Sequence, residues 1–193
     1  MTPRSVGYAQ WRAHANGVNP PRVMRDWLVD NASLTRKLMA RSNHFRVRRL
    51  RQERALCLAD EFETVVLPRR ICVEQREVLL ECDGRPVVYA HTIVPLTATT
   101  SDWPFFSRLG ERSLGTTLFG DPRVVQGRLQ YARLRAQHPL VRRASAALGG
   151  VVFRIPVFAR RCLYRRKKGV LLVTELFLPA IATLASQDAG RLR

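Results

Sequence analysis

Hydrophobic positions in this chain recur with two different periods, and each change of period marks a new element. After a polar, irregular start that ends in Asn19-Pro20-Pro21, residues Val23, Met24, Trp27 and Leu28 share one face of a helix that Pro21 can begin. Asn31 or Ser33 can cap a second short helix, Leu34 to Met39. From Phe45 to Leu58 the pattern reads as one or two strands, closed by an acidic turn at Asp60-Glu61. Ile71 to Cys82 is the clearest strand; Asp83-Gly84 is a hairpin turn, and Pro86 to Val94 returns as its partner. Trp103 to Phe119 is helical, with Gly110 ending one short helix and Ser113 capping the next, Leu114 to Leu118. Arg128 to Leu148 holds a strand followed by a short helix. Val152 to Tyr164 and Val170 to Leu178 flank the basic turn Arg165 to Gly169, where Gly169 is expected at the position of positive φ. Strands outnumber helices and most connections are hairpins. The predicted fold class is α+β: a single antiparallel sheet with helices packed at one face or end. One domain over residues 1–193 is expected, with 1–20 and 180–193 peripheral.

Two strands carry a charge where an apolar residue is expected. Glu175 interrupts the run Gly169 to Pro179, and an ionised carboxylate buried there needs either a raised pKa or a partner. On the strand Ile71 to Cys82, Arg76 falls on the same side as Val78, Leu80 and Cys82, because side chains alternate faces. Together they predict a small enclosed pocket with polar ends. Arg76 is either a structural ion pair with Glu175 or Glu74, or a clamp whose planar fork fits a ligand carboxylate. Glu175 either neutralises an arginine, hydrogen-bonds a ligand hydroxyl, or acts as an acid or base. The helix start at Leu114-Gly115 offers backbone N–H groups, which favour an anion, although taken alone a tight turn under an amphipathic helix is the stronger reading.

The net charge of +18 over 193 residues adds a preference for anions. Between Asp121 and Glu175 there are thirteen Arg or Lys residues and no acidic one. Nucleic acid, an anionic membrane surface and a small polycarboxylate all fit such a field, as does a plain solvated basic surface. The basic runs Arg46 to Arg51 and Arg160 to Arg165 lack the spacings of known nucleic-acid readers and are read as wet sheet faces, so no specific nucleic-acid binding is expected. Cys57, Cys72, Cys82 and Cys162 form no C-x-x-C pair and the four histidines no H-x-x-x-H, so no metal site is expected. The N-terminus has no secretory h-region, and the longest apolar stretch is broken by Glu175 and Pro179, short of the roughly 20 residues that span a bilayer. A cytoplasmic protein without membrane insertion is the expectation.

Read in order, these segments resemble the chorismate pyruvate-lyase family. The resemblance runs from about Trp27 to Pro179. It rests on Asp26-Trp27-Leu28 with Ser33-Leu34-Thr35-Arg36, on Arg76 to Leu80 leading to Asp83-Gly84 and Thr92-Ile93-Val94-Pro95, and on Leu109-Gly110 with Ser113-Leu114-Gly115 and Leu118-Phe119. Leu172 to Pro179 is its most specific motif. It implies about six antiparallel strands with short helical flaps over a ligand pocket, and release of pyruvate from chorismate to leave 4-hydroxybenzoate for ubiquinone synthesis. No cofactor is implied, and a monomer is expected.

The resemblance also assigns residues. Arg76 would hold the ligand carboxylate, Glu175 would face its hydroxyl end, and Leu34 and Leu114 would contribute backbone contacts from the flaps. Relatives often carry a second arginine where this chain has His91, which makes His91 a secondary candidate on the strand beside Arg76. The alternative is a non-catalytic small-molecule sensor of the same fold. Such sensors follow a DNA-binding domain, for which the residues before Trp27 are too few.

Overall fold

The computed structural model describes residues 8–185. Helix α1 (Arg22–Leu28) starts at Pro21 and buries Trp27 and Leu28 completely. Helix α2 (Leu34–Ala40) is capped by Ser33, whose hydroxyl accepts from the Arg36 N–H. Strand β1 (Phe45–Leu56) is one continuous strand with a bulge between Arg49 and Arg51, which resolves the two-strand alternative. Strands β2 (Cys72–Cys82) and β3 (Arg85–Pro95) meet at Asp83-Gly84, both at positive φ, as a tight right-twisted hairpin requires. Asp83 Oδ1 also accepts from the Asn43 and His44 N–H groups at 3.0 and 2.8 Å, tying this turn to the start of β1. Helix α3 (Leu114–Gly120) is capped by Ser113 as its sequence predicts. Strand β4 (Val124–Leu134), helix α4 (Pro139–Ala147), strands β5 (Val157–Arg166) and β6 (Gly169–Phe177), and the short helix α5 (Ile181–Ala185) complete the chain.

All six strands form one antiparallel sheet in the order β1-β2-β3-β6-β5-β4. Each half is a three-strand run, and the halves join through their last strands, β3 and β6. This junction puts the two anomalous strands, β2 and β6, on either side of β3. It is the reason Arg76 and Glu175 share one site although 99 positions separate them.

Four details differ from the sequence expectation. Helices cover both sheet faces: α4 seats Leu140, Val141 and Ala144 on Leu79, Tyr89 and Leu176, opposite the face covered by α2 and α3. Residues expected to be peripheral are partly core, since Ala15, Val18, Ile181 and Leu184 are buried with the main cluster. Gly169 is not the positive-φ residue of its turn; Lys167 is, at φ 53°. Glycine is needed at 169 for space, because a Cβ there would lie 2.6 Å from the Asp102 Cβ. Finally, Val151 to Pro156 lie outside β5, with Val152 and Ile155 in solvent.

Candidate functional site

Strand alternation fixes what faces the space beneath α2 and α3. Across the sheet, Arg76 stands opposite Thr92, Ala90 opposite Glu175, Glu175 opposite Arg160, and Cys162 opposite Val173. These residues, with Val78, Leu80 and Tyr164, form the floor of a pocket roofed by Leu34, Thr35, Leu114 and Gly115. The two roof helices touch each other through the Thr35 and Ser113 hydroxyls, 2.6 Å apart. The Gly115 backbone is so close to Thr35 that a Cβ there would sit 2.9 Å from Oγ1. Both helix starts are thus drawn together over the pocket, with first-turn N–H groups that have no acceptor within their own helices.

Arg76 is buried and among the described residues forms no carboxylate pair, neither with Glu175 nor with Glu74. One terminal nitrogen, Nη2, donates to the Gly110 and Arg112 carbonyls, both at 3.0 Å, and so holds the loop that leads into α3. Its Nε is buried with no hydrogen-bond partner among the described residues. Burial, and next the charge of Arg49, lower its pKa to about 10, which leaves it a cation at neutral pH. A buried guanidinium with an unused donor in a pocket wall has the chemistry to pair with an anion.

Glu175 has a partner that the sequence reading missed. Arg160 on β5 donates Nε to Glu175 Oε2 at 2.5 Å. The same guanidinium donates through Nη1 to the carbonyls of Trp27 at 3.1 Å and Asp30 at 2.6 Å, where α1 ends and the chain turns toward α2. Burial works against the charge of Arg160, but the adjacent carboxylate outweighs it and its pKa rises. The burial dilemma posed by Glu175 is therefore solved by a partner. Its place in a basic run predicts a wet sheet face, but it is 4% exposed, and Arg161 beside it is 7% exposed on the other side of the sheet. The signal was available in its parity with Cys162 and Tyr164, but its neighbour strand was not.

His91 is the expectation the structure corrects. Its neighbours Ala90 and Thr92 face the pocket, so His91 faces the opposite side and does not line it. There it is buried between two carboxylates, with Nε2 3.1 Å from Glu61 and Nδ1 3.5 Å from Glu77. Burial alone would lower its pKa; Glu61 and Glu77 more than compensate and raise it to about 9. Glu77 also pairs with Arg143 at 2.7 Å and Arg51 at 3.1 Å, and its pKa falls to about 2 despite burial. This network fastens the segment after β1 and helix α4 to the back of the sheet.

The remaining pocket chemistry is mild. Burial pushes the Cys162 thiol and the Tyr164 phenol up, so both stay protonated and neither is a nucleophile at neutral pH. The site offers a cationic donor at Arg76 and a carboxylate acceptor at Glu175, with Val78, Leu80 and Ala90 as apolar lining.

Comparison with known proteins places the chain in a family. The chain matches the family described as chorismate lyase over residues 6–187. It is 51% identical over 160 residues to a probable chorismate pyruvate-lyase from Ralstonia nicotianae, covering 81% of each chain. It is 44% identical to a protein of the same description from Cupriavidus pinatubonensis, covering 97% of this chain and 98% of that one. Among solved structures, the effector domain of PhnF from Mycobacterium smegmatis superposes with a TM-score of 0.54 at 18% identity, covering 79% of this chain and 91% of that one. That likeness concerns the fold alone.

Proposed function

The chain belongs to the chorismate lyase family, and on that premise we propose that it is a carbon–oxygen lyase removing pyruvate from chorismate to leave 4-hydroxybenzoate, for ubiquinone synthesis. The observation that carries the reading is the pairing of Arg76, buried with an unused Nε, with Glu175 on the same floor beyond a single intervening strand. Two strand spacings of about 4.8 Å put their backbones roughly 10 Å apart across the sheet. Side chains reaching inward from those positions leave room for one six-membered ring with a carboxylate at one end and a hydroxyl at the other.

In this reading Arg76 holds the ring carboxylate, and the first-turn backbone of Leu34 and Leu114 closes over the ligand. Glu175, steadied by Arg160, accepts the hydrogen bond of the ring hydroxyl. The ether bond between the ring and the enolpyruvyl oxygen breaks. The ring carbon bearing the hydroxyl loses its hydrogen as the ring becomes aromatic, and the enolpyruvyl methylene gains a proton to become the methyl group of pyruvate. Atoms balance without water, oxidant or reductant, so the chemistry calls for no organic cofactor. Aromatisation supplies the driving force; the protein supplies orientation and a fixed electrostatic frame. His91, on the far face, contributes no ligand contact. The enzyme acts as a cytoplasmic monomer in this proposal.

The test is to mix the purified protein with chorismate and assay both products. Equal amounts of 4-hydroxybenzoate and pyruvate support the lyase. No turnover, with 4-hydroxybenzoate still bound, would replace it by a ligand sensor. Arg76→Ala should weaken 4-hydroxybenzoate binding at least tenfold by calorimetry; unchanged affinity would remove the clamp.

A further inference from the structure

The thirteen basic residues between Asp121 and Glu175 are not all of one kind. Arg160, Arg161 and Arg166 are buried and hydrogen-bonded, Arg123 pairs with Asp121, and Arg143 pairs with Glu77. Eight others are exposed, and among the described residues none of them pairs with a carboxylate: Arg128, Arg165, Lys167 and Lys168, on β4 and toward the β5–β6 turn, and Arg133, Arg135, Arg142 and Arg154. The last four lie in or next to one loop, by sequence or by strand register. Arg154 lies within it, and Arg142 is on the exposed side of α4, which leads into it. Arg133 and Arg135 end β4, where Leu134 pairs with Val157, the first residue of β5 after the loop.

The loop itself, between α4 and β5, is apolar where it should be polar. Val151, Val152 and Ile155 are 47%, 78% and 73% exposed. Phe153 between them turns inward and packs on the core beneath α4, so the loop is anchored and its outer side chains project outward. Pro156 and the stacking of Arg133 over Phe158, at 5.3 Å, stiffen its exit. Three large apolar side chains projecting from one anchored loop, with four exposed arginines in or next to it, are not the scattered exposure of an ordinary surface.

We infer that this loop docks the protein on an anionic membrane surface, with Val152 and Ile155 entering the boundary between headgroups and acyl chains and the four arginines meeting lipid phosphates. Charge selects this occupant over a second copy, which would bring two sets of unpaired arginines together. It is selected over nucleic acid because the loop offers no exposed aromatic ring on which a base could stack. Apolar insertion and basic attraction each contribute modestly, and stable peripheral binding takes both. No helix among the described residues is long and apolar enough to cross a membrane, so the contact is peripheral.

The test is sedimentation of the intact protein with vesicles at about 0.15 M salt, where screening beyond roughly 8 Å suppresses diffuse attraction. Vesicles of phosphatidylcholine alone are compared with vesicles containing phosphatidylglycerol. The expected result is binding to the anionic vesicles only. It should fall at least tenfold in the charge-neutral double variant Val152→Ser, Ile155→Ser, and comparably in Arg142→Gln, Arg154→Gln. The control Arg46→Gln, Arg54→Gln removes the same charge from edge strand β1 and should bind like the wild type. Equal binding of wild type and the Val152, Ile155 variant would overturn the inference in favour of diffuse charge. So would absence of vesicle binding by the wild type, or tighter binding to duplex DNA than to vesicles. Self-association abolished by the Val152, Ile155 substitutions would instead make the loop a subunit contact and likewise overturn it.

Discussion

Replacing Arg160 by Met keeps most of the side-chain volume and removes the guanidinium on which three parts of the molecule converge. Glu175 loses its partner at 2.5 Å, and the carbonyls of Trp27 and Asp30 lose donors at 3.1 and 2.6 Å. Breaking a buried ion pair by removing one member costs about 3–5 kcal/mol, because the other charge stays behind desolvated. The Glu175 side chain is 18% exposed, so water recovers part of that and the lower end of the range applies. Two carbonyls left short of a donor add about 1 kcal/mol each. The expected loss is therefore about 4–5 kcal/mol, much of the stability of an ordinary domain. Urea unfolding followed by tryptophan fluorescence measures it, with an unchanged m-value as the check that only stability moved. Glu175→Gln alone should cost about 2 kcal/mol. The double variant should be more stable than the sum of the singles by about 1.5 kcal/mol or more, since the second change relieves the charge stranded by the first. A loss below about 1 kcal/mol in Arg160→Met, or an additive cycle, would refute the view that Arg160 is the partner that makes a half-buried Glu175 tolerable.

Three further outcomes follow from the geometry. His91 has a folded pKa of about 9 against an ordinary 6.5, so its contribution is complete below about pH 6.5 and is lost as pH rises through about 9. Melting temperature should decline between pH 7 and 9.5, by up to about 3 kcal/mol of stability; in His91→Gln that alkaline decline should flatten, and an unchanged slope would show that another group titrates. Gly115→Ala puts a Cβ 2.9 Å from Thr35 Oγ1 and wedges α2 from α3, at a site where alanine otherwise favours a helix by roughly 0.5–1 kcal/mol. Stability should change by less than about 1 kcal/mol while 4-hydroxybenzoate dissociates several-fold faster in stopped flow; an unaltered dissociation rate would mean that the two roof helices do not retain the ligand. Gly169→Ala should lower the melting temperature by about 2 °C or more, because its Cβ would overlap Asp102 and Ala98, a misfit worth about 1–3 kcal/mol. A variant as stable as the wild type would show that the turn yields easily.

Much of the fold was legible because short-range rules governed it. Ser33 and Ser113 cap helices as their positions suggested, and Asp83-Gly84 makes the hairpin that its residue types demand. Arg76 and Glu175 stood out because a charge in an apolar strand is costly wherever the strand lies. Less was legible where two elements had to meet. Gly169 was read as a conformational glycine, but its role comes from Asp102, 67 positions away in sequence.

The sequence by itself determined which faces the strand residues take, through a period of two that needs no partner strand. That parity already set Arg160 apart from Arg161, and His91 apart from Thr92. Only the tertiary structure decided what each face meets. Pairing β3 with β6 brought Arg76 and Glu175 to one floor, and pairing β5 with β6 set Arg160 against Glu175. Closing α4 and the segment after β1 over the opposite face buried His91 between Glu61 and Glu77, away from the pocket. The physical reason is range. Alternation and capping act over a few residues, whereas the partner of a buried charge is chosen by strand order, which depends on the whole chain at once.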